Sequence, residues 1–63
     1  MANITKEKAP KVFKYNGRIY QLTHFDHAWN VWDYKSDDGV TIRVDPDDEG
    51  CTGWFENKVE VLE

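Results

Sequence analysis

The stretch Lys11-Val12-Phe13-Lys14-Tyr15-Asn16-Gly17-Arg18-Ile19-Tyr20-Gln21-Leu22 decides the fold class. Two alternating runs flank an Asn-Gly pair. That pair is the strongest short signal for a two-residue type I′ hairpin, because both turn positions need positive φ. A two-residue loop sets Tyr15 opposite Arg18 and Phe13 opposite Tyr20. One face then carries Phe13, Tyr15, Tyr20 and Leu22, and the other carries Val12 and Ile19 among Lys14 and Gln21. The first face is the core face, since side chains alternate along a strand.

A second hairpin follows, with arms at 29–36 and 40–44 around Asp37-Asp38-Gly39. A two-residue Asp38-Gly39 loop pairs Lys35 with Ile42 and Asp33 with Val44, setting charges against aliphatics. A three-residue loop with Gly39 in the left-handed position pairs Tyr34 with Ile42 and Trp32 with Val44. It also sets Asp33 opposite Arg43 and Lys35 opposite Thr41. Such cross-strand pairs contribute roughly 0.2–1 kcal/mol each. A one-residue slip exchanges the faces, so the three-residue loop is the consistent choice.

Outward from these hairpins, residues 45–53 read as a polar loop containing Pro46, Gly50 and Gly53, and 54–63 as a last strand. In that strand Val59 and Val61 share one face and Lys58, Glu60 and Leu62 the other. Residues 23–28 are ambiguous: Thr23 and Asp26 have helix-start spacing, but the run is too short to hold a helix alone. Residues 1–9 are polar, without periodicity, and read as a disordered, flexible tail before a single small β domain at 10–63. The expected fold is mostly β: a small five-stranded antiparallel barrel or strongly bent sheet, SH3-like or OB-like, with an open meander as the alternative.

The chain has 63 residues, and nine aromatics supply most of what its small core can bury. Each aromatic contributes roughly 150–250 Å². That content argues against disorder although 32% of the residues are charged. One cysteine, Cys51, excludes an internal disulfide. No apolar run approaches a membrane span, and Met1-Ala2-Asn3-Ile4 has neither a charged nor an apolar leader region, so a cytoplasmic location is expected. The net charge of −4 divides unevenly: residues 1–20 hold five basic residues and one acid, and residues 21–63 hold three basic residues and eleven acids. A polar partner surface follows from that division, and so does ordinary solubility.

Asp45-Pro46-Asp47-Asp48-Glu49-Gly50 through Glu56 places Asp45, Asp47, Glu49 and Glu56 at calcium-loop positions 1, 3, 5 and 12, with glycine at 6. Glu49 is longer than the usual ligand at its position, Thr52 replaces an aliphatic, and the flanks read as strands. A solvated acidic loop is the preferred reading, and no metal or other cofactor is expected. Thr23-His24-Phe25-Asp26-His27 groups two imidazoles and a carboxylate, with Cys51 a remote fourth candidate for zinc. The paired spacing of structural zinc sites is missing, so these histidines read as exposed residues at a strand end. In an extended segment His24 and Asp26 share a face and His27 points away. No strained nucleophile turn, phosphate loop or buried acid pair is visible, and the chain does not read as an enzyme.

Trp29 falls on the face opposite Trp32 and Tyr34, and adjacent Trp54 and Phe55 point apart in a strand. At least one of Trp29, Trp54 and Phe55 is therefore expected at the surface, where large aromatics serve as binding hot spots. The leading functional expectation is a cytoplasmic protein–protein interaction module, an accessory protein or inhibitor. It would present an aromatic patch (Trp29, Trp54, Phe55) with an acidic rim (Asp45, Asp47, Asp48, Glu49), and a barrel edge open to strand addition. A monomer or weak edge-paired dimer fits this reading. Two alternatives stand beside it: an acidic nucleic-acid mimic that occupies a nucleic-acid-binding protein, and a nucleic-acid-binding barrel using Lys11, Lys14 and Arg18. Direct nucleic-acid binding is disfavoured by the acidic body, because phosphate contact needs positive charge. Membrane binding has no support.

The calcium reading has a direct test. Calcium at about 1 mM should leave the melting temperature unchanged, since a site of ~10 μM affinity would add roughly 2.7 kcal/mol. A rise of several degrees that Glu56→Gln abolishes would establish a calcium loop instead.

Overall fold

Both hairpins form as their turns dictate. In the computed structural model, which describes residues 4–63, β1 (Val12–Tyr15) pairs antiparallel with β2 (Arg18–Asp26), Phe13 against Tyr20 and Tyr15 against Arg18. Asn16 and Gly17 both have positive φ, as a type I′ turn requires. Next, β3 (Val31–Ser36) pairs with β4 (Thr41–Val44) in the three-residue-loop register: Trp32 to Val44, Asp33 to Arg43, Tyr34 to Ile42 and Lys35 to Thr41. Gly39 takes φ +88°. Ser36 closes this loop, accepting the Gly39 amide on its carbonyl and the Val40 amide on its hydroxyl oxygen.

The hairpins join through a β2–β3 ladder that carries one irregularity. Leu22 faces Tyr34, but His24 faces Asp33, so Thr23 is an extra residue on β2. Such a bulge reverses the inside–outside parity beyond it. Leu22 and Phe25 therefore both lie on the core face, while His24 and Asp26 turn to the other. Past the bulge Phe25 stacks edge-on with Trp32, ring centroids 4.8 Å apart.

The C-terminal third departs from the sequence expectation. Residues 49–58, expected as the end of a loop and the start of a strand, form α1 (Glu49–Lys58), and only β5 (Glu60–Val61) is extended. The reason is burial. Cys51, Trp54 and Phe55 follow the i, i+3, i+4 spacing of one helix face, and they pack in or against the core together with Val59, which follows the helix in extended conformation. Glu49 in the first turn and Lys58 in the last complement the helix dipole. After α1, β5 returns to pair with β1, Phe13 against Val61 and Lys14 against Glu60.

The sheet order is β4-β3-β2-β1-β5. Because β4 and β5 do not pair with each other, the sheet is an open five-stranded antiparallel sheet, with α1 on one face, and not a closed barrel. The fully enclosed side chains are Tyr34, Phe13, Phe55 and Val44. Of the tail expected over 1–9, residues 1–3 lie outside the described range. From Ile4 onward the chain is docked: Ile4 is buried in the core, and the Thr5 carbonyl accepts the Trp32 indole N–H at 2.7 Å. Tyr34 donates its phenol proton to the Pro10 carbonyl at 2.7 Å, and burial pushes its pKa up. No helix among the described residues is long and apolar enough to cross a membrane.

The turns generate two expectations. Gly39→Val should destabilise the fold by more than ~1 kcal/mol in urea unfolding, since a β-branched residue resists positive φ. Nothing lies within 4 Å of a Cβ built there, so backbone strain alone sets the effect, and Gly39→Asn should be milder. The second concerns Asp38, whose carboxylate is held below its ordinary 3.8 first by the Ser36 hydroxyl and then by Arg18 at 2.9 Å. A depressed carboxylate pKa contributes stability above the unfolded value that is lost as pH falls through the folded one. An NMR titration should place the Asp38 midpoint below 3.8, and Ser36→Ala should move it upward.

Candidate functional site

Two regions of the surface hold the residues with functional potential. The first is the end of the sheet where β2 turns into β3 and β4 leaves toward α1. Asp26 shapes the turn there: its Oδ1 accepts the Ala28 amide at 3.0 Å and the Trp29 amide at 3.4 Å. Asn30 completes the reversal at φ +56°. On this turn Trp29 is 71% exposed, the most exposed of the large apolar side chains among the described residues. The connection at 45–48 lies at the same end, because Val44 pairs with Trp32 beside the β3 start. Asp45 Oδ1 accepts the Asp47 amide at 2.9 Å, and Lys6 reaches Asp47 at 3.1 Å. Asp47, Asp48 and Glu49 are exposed.

The expected patch of three aromatics is not contiguous. Phe55 is fully enclosed, with its ring 5.1 Å from that of Phe13. Trp54 is half-buried and packs edge-on against Tyr15 at 5.0 Å. Tyr15 adjoins the start of β2 and Trp29 follows its end, so the nine residues of β2 separate the two tryptophans. At ~3.3 Å per residue that is on the order of 25 Å. Trp29 sits at the sheet end from which the acidic connection leaves.

The calcium-loop residues are likewise redistributed. Asp45 and Asp47 lie in the connection, whereas Glu49 opens α1 and Glu56 sits two turns on. A helix from position 5 onward replaces the wrapping loop that such a site needs. Among the described residues, the side chains that come together as metal-ligand types are instead His24, Asp26 and Asp33.

This second region lies on the sheet face away from α1. Asp33 sits on central strand β3 between His24 on β2 and Arg43 on β4. His24 Nε2 is 3.4 Å from Asp33 Oδ2, and Arg43 Nε is 3.3 Å from Asp33 Oδ1. Asp33 is buried, although its neighbours on both strands are exposed. The Arg43 contact is ionic and misses hydrogen-bond geometry, which leaves Oδ1 enclosed without a hydrogen bond. Thr23, the bulge residue, donates its hydroxyl proton to the Asp33 carbonyl at 2.9 Å, and its Oγ1 lies 3.1 Å from His24 Nδ1. His27 leaves the group and stacks on Phe25 with centroids 5.0 Å apart, and Cys51 packs against the core from α1. Asp33 was visible in sequence only as the partner of Arg43. Its place beside His24 depends on the bulge, which no turn residue announces.

The basic residues of the first hairpin are partly engaged, since Arg18 pairs with Asp38 at 2.9 Å. Comparison with protein families, with curated proteins and with solved structures finds no match to this chain.

Truncations separate core from surface in this arrangement. Phe55→Ala should lower stability by about 3–5 kcal/mol, the usual range for a buried aromatic. Trp29→Ala should stay within about 0.5 kcal/mol of the parent, because an exposed side chain contributes little. Equal losses in thermal or urea unfolding would mean that Trp29 is not a surface residue in solution.

Proposed function

We propose that this chain is a small protein-interaction module that engages its partner through the sheet end carrying Trp29 and the acidic connection at 45–49. The observation that carries this reading is the exposure of Trp29 on a turn held by Asp26. A tryptophan offers large contact area with little rotamer freedom to lose, and a fixed turn lowers the ordering cost of binding. Asp45, Asp47, Asp48 and Glu49 form the rim and favour a partner whose pocket is edged by Lys or Arg. No reaction is proposed, and a cytoplasmic accessory or inhibitory role goes with this reading.

An SH3-like relationship belongs to the same proposal. Support comes from the four-strand meander whose fifth strand returns to the first, and from the long β2 bent at its bulge. The β4 edge offers a place for strand addition or weak pairing of two copies.

Partner capture from a cytosolic extract, followed by affinity measurement, tests the proposal. Trp29→Ala should weaken the captured partner by at least ~2 kcal/mol. Asp47→Asn with Asp48→Asn should mainly slow association and flatten its salt dependence. Competition by free DNA or RNA, with several carboxylate changes weakening binding together, would point to a nucleic-acid mimic. Retention on heparin at physiological salt, lost with Lys11→Ala or Lys14→Ala, would replace the proposal with nucleic-acid binding.

A further inference from the structure

Across the open sheet face, the hydrogen bonds around His24 form a directed chain. The Thr23 hydroxyl has one proton, and it is donated to the Asp33 carbonyl. Its oxygen is then free to accept, so the His24 ring atom 3.1 Å away, Nδ1, carries the hydrogen. That assignment leaves the lone pair of Nε2 facing Asp33 Oδ2 at 3.4 Å. Two lone pairs at this distance repel unless a positive charge lies between them, either a proton on Nε2 or a bound metal ion. The carboxylate is also buried: Asp33 is 7% exposed, and its other oxygen, Oδ1, faces Arg43 and is enclosed without a hydrogen bond. A third ligand converges on the same point, because an oxygen of Asp26 lies within 4.8 Å of the His24 and Asp33 ligand atoms.

We propose that His24, Asp26 and Asp33 form a binding site for a divalent transition metal of the zinc class, on a different face from the one that displays Trp29. One imidazole and two carboxylates suit zinc, which accepts nitrogen and oxygen ligands at about 2.0–2.2 Å in tetrahedral array. Ligand atoms of such a site stand roughly 3.3 Å apart, close to the 3.4 Å already present between His24 and Asp33. Asp26 lies within 4.8 Å of the other two and needs to close by up to about 1.5 Å to complete the set. The fourth position faces solvent and takes water. Thr23 supplies the outer shell: it holds the Nδ1–H and thereby aims Nε2, as partners of metal-bound histidines commonly do. Arg43 is the competing cation, 3.3 Å from Asp33 and with a side chain 62% exposed, so it is free to swing aside.

Calorimetric titration of metal-free, untagged protein with zinc chloride tests the site. One zinc should bind per chain in the micromolar range, and His24→Gln and Asp33→Asn should each weaken it at least about tenfold. His24 is largely exposed, so His24→Gln tests the site even if Asp33→Asn fails to fold. Arg43→Gln should tighten zinc binding by removing the competing charge, an effect that a purely structural Asp33–Arg43 pair does not produce. His27→Gln and Cys51→Ser should leave the affinity unchanged. Imidazole nitrogen resonances should show zinc on Nε2 of His24. Absence of saturable binding at ~100 μM zinc overturns the proposal. So does affinity that survives His24→Gln, or that falls with Cys51→Ser. Loss of partner binding in Trp29→Ala, with zinc affinity intact, keeps the fate of this site separate from that of the interaction surface.

Discussion

Enclosure of the Phe13 ring is the constraint on which the other elements depend. Phe13 is wholly buried, and its register partners are Tyr20 on β2 and Val61 on β5. Its ring meets Tyr20, Tyr34, Trp54 and Phe55 at centroid distances of 5.2, 4.6, 6.4 and 5.1 Å. Those four residues come from β2, β3 and α1, so one side chain on β1 ties both hairpins to the helix. Aromatic pairs in these geometries add about 0.5–1.5 kcal/mol beyond area burial. A chain of 63 residues hides too little surface to rely on scattered aliphatic contacts. Concentrating the rings around one position is how this chain obtains a core.

The same core creates the open-face cluster. Leu22 and Phe25 are three apart and both belong on the inner side, yet an unbroken strand alternates with period two. One of them would have to face solvent. The extra residue at Thr23 resolves the conflict by shifting parity between Leu22 and His24. Its consequence is chemical: His24 turns outward beside Asp33, and the Thr23 hydroxyl is placed where it can orient the imidazole. The packing requirement on one face thus explains the arrangement on the other.

What was legible in the sequence was local. Asn16-Gly17 and Gly39 specify backbone conformations that few residues adopt, and each fixes a register within its own hairpin. The β2–β3 junction was not legible, because a bulge answers to contacts among Leu22, Phe25, Trp32 and Tyr34 that no turn residue encodes. Helix α1 was hidden by its own composition. Gly50 and Gly53 each weigh against helix by roughly 0.8–1 kcal/mol relative to alanine, and Val59 and Val61 invite a strand reading. The spacing of Cys51, Trp54 and Phe55 carried the helical signal, but it was weak beside two glycines. Burial of Phe55 overrides propensity here, and that burial moved Phe55 from the expected surface patch into the core. Ile4 escaped notice because one apolar residue in a polar run has no periodicity to display.

Asp26 links the two candidate regions. Its Oδ1 accepts the Ala28 and Trp29 amides, which holds the turn that displays Trp29. The same carboxylate belongs to the group formed with His24 and Asp33. Two backbone amides anchor this carboxylate, so the shift it needs to become a ligand works against those hydrogen bonds. Its position is equally sensitive to the turn, since any change that releases the Trp29 amide also loosens Asp26. In a domain this small, the exposed tryptophan and the charged sheet face are therefore not mechanically independent. They can still be separated by mutation, because truncating the Trp29 side chain leaves its amide, and hence Asp26, in place.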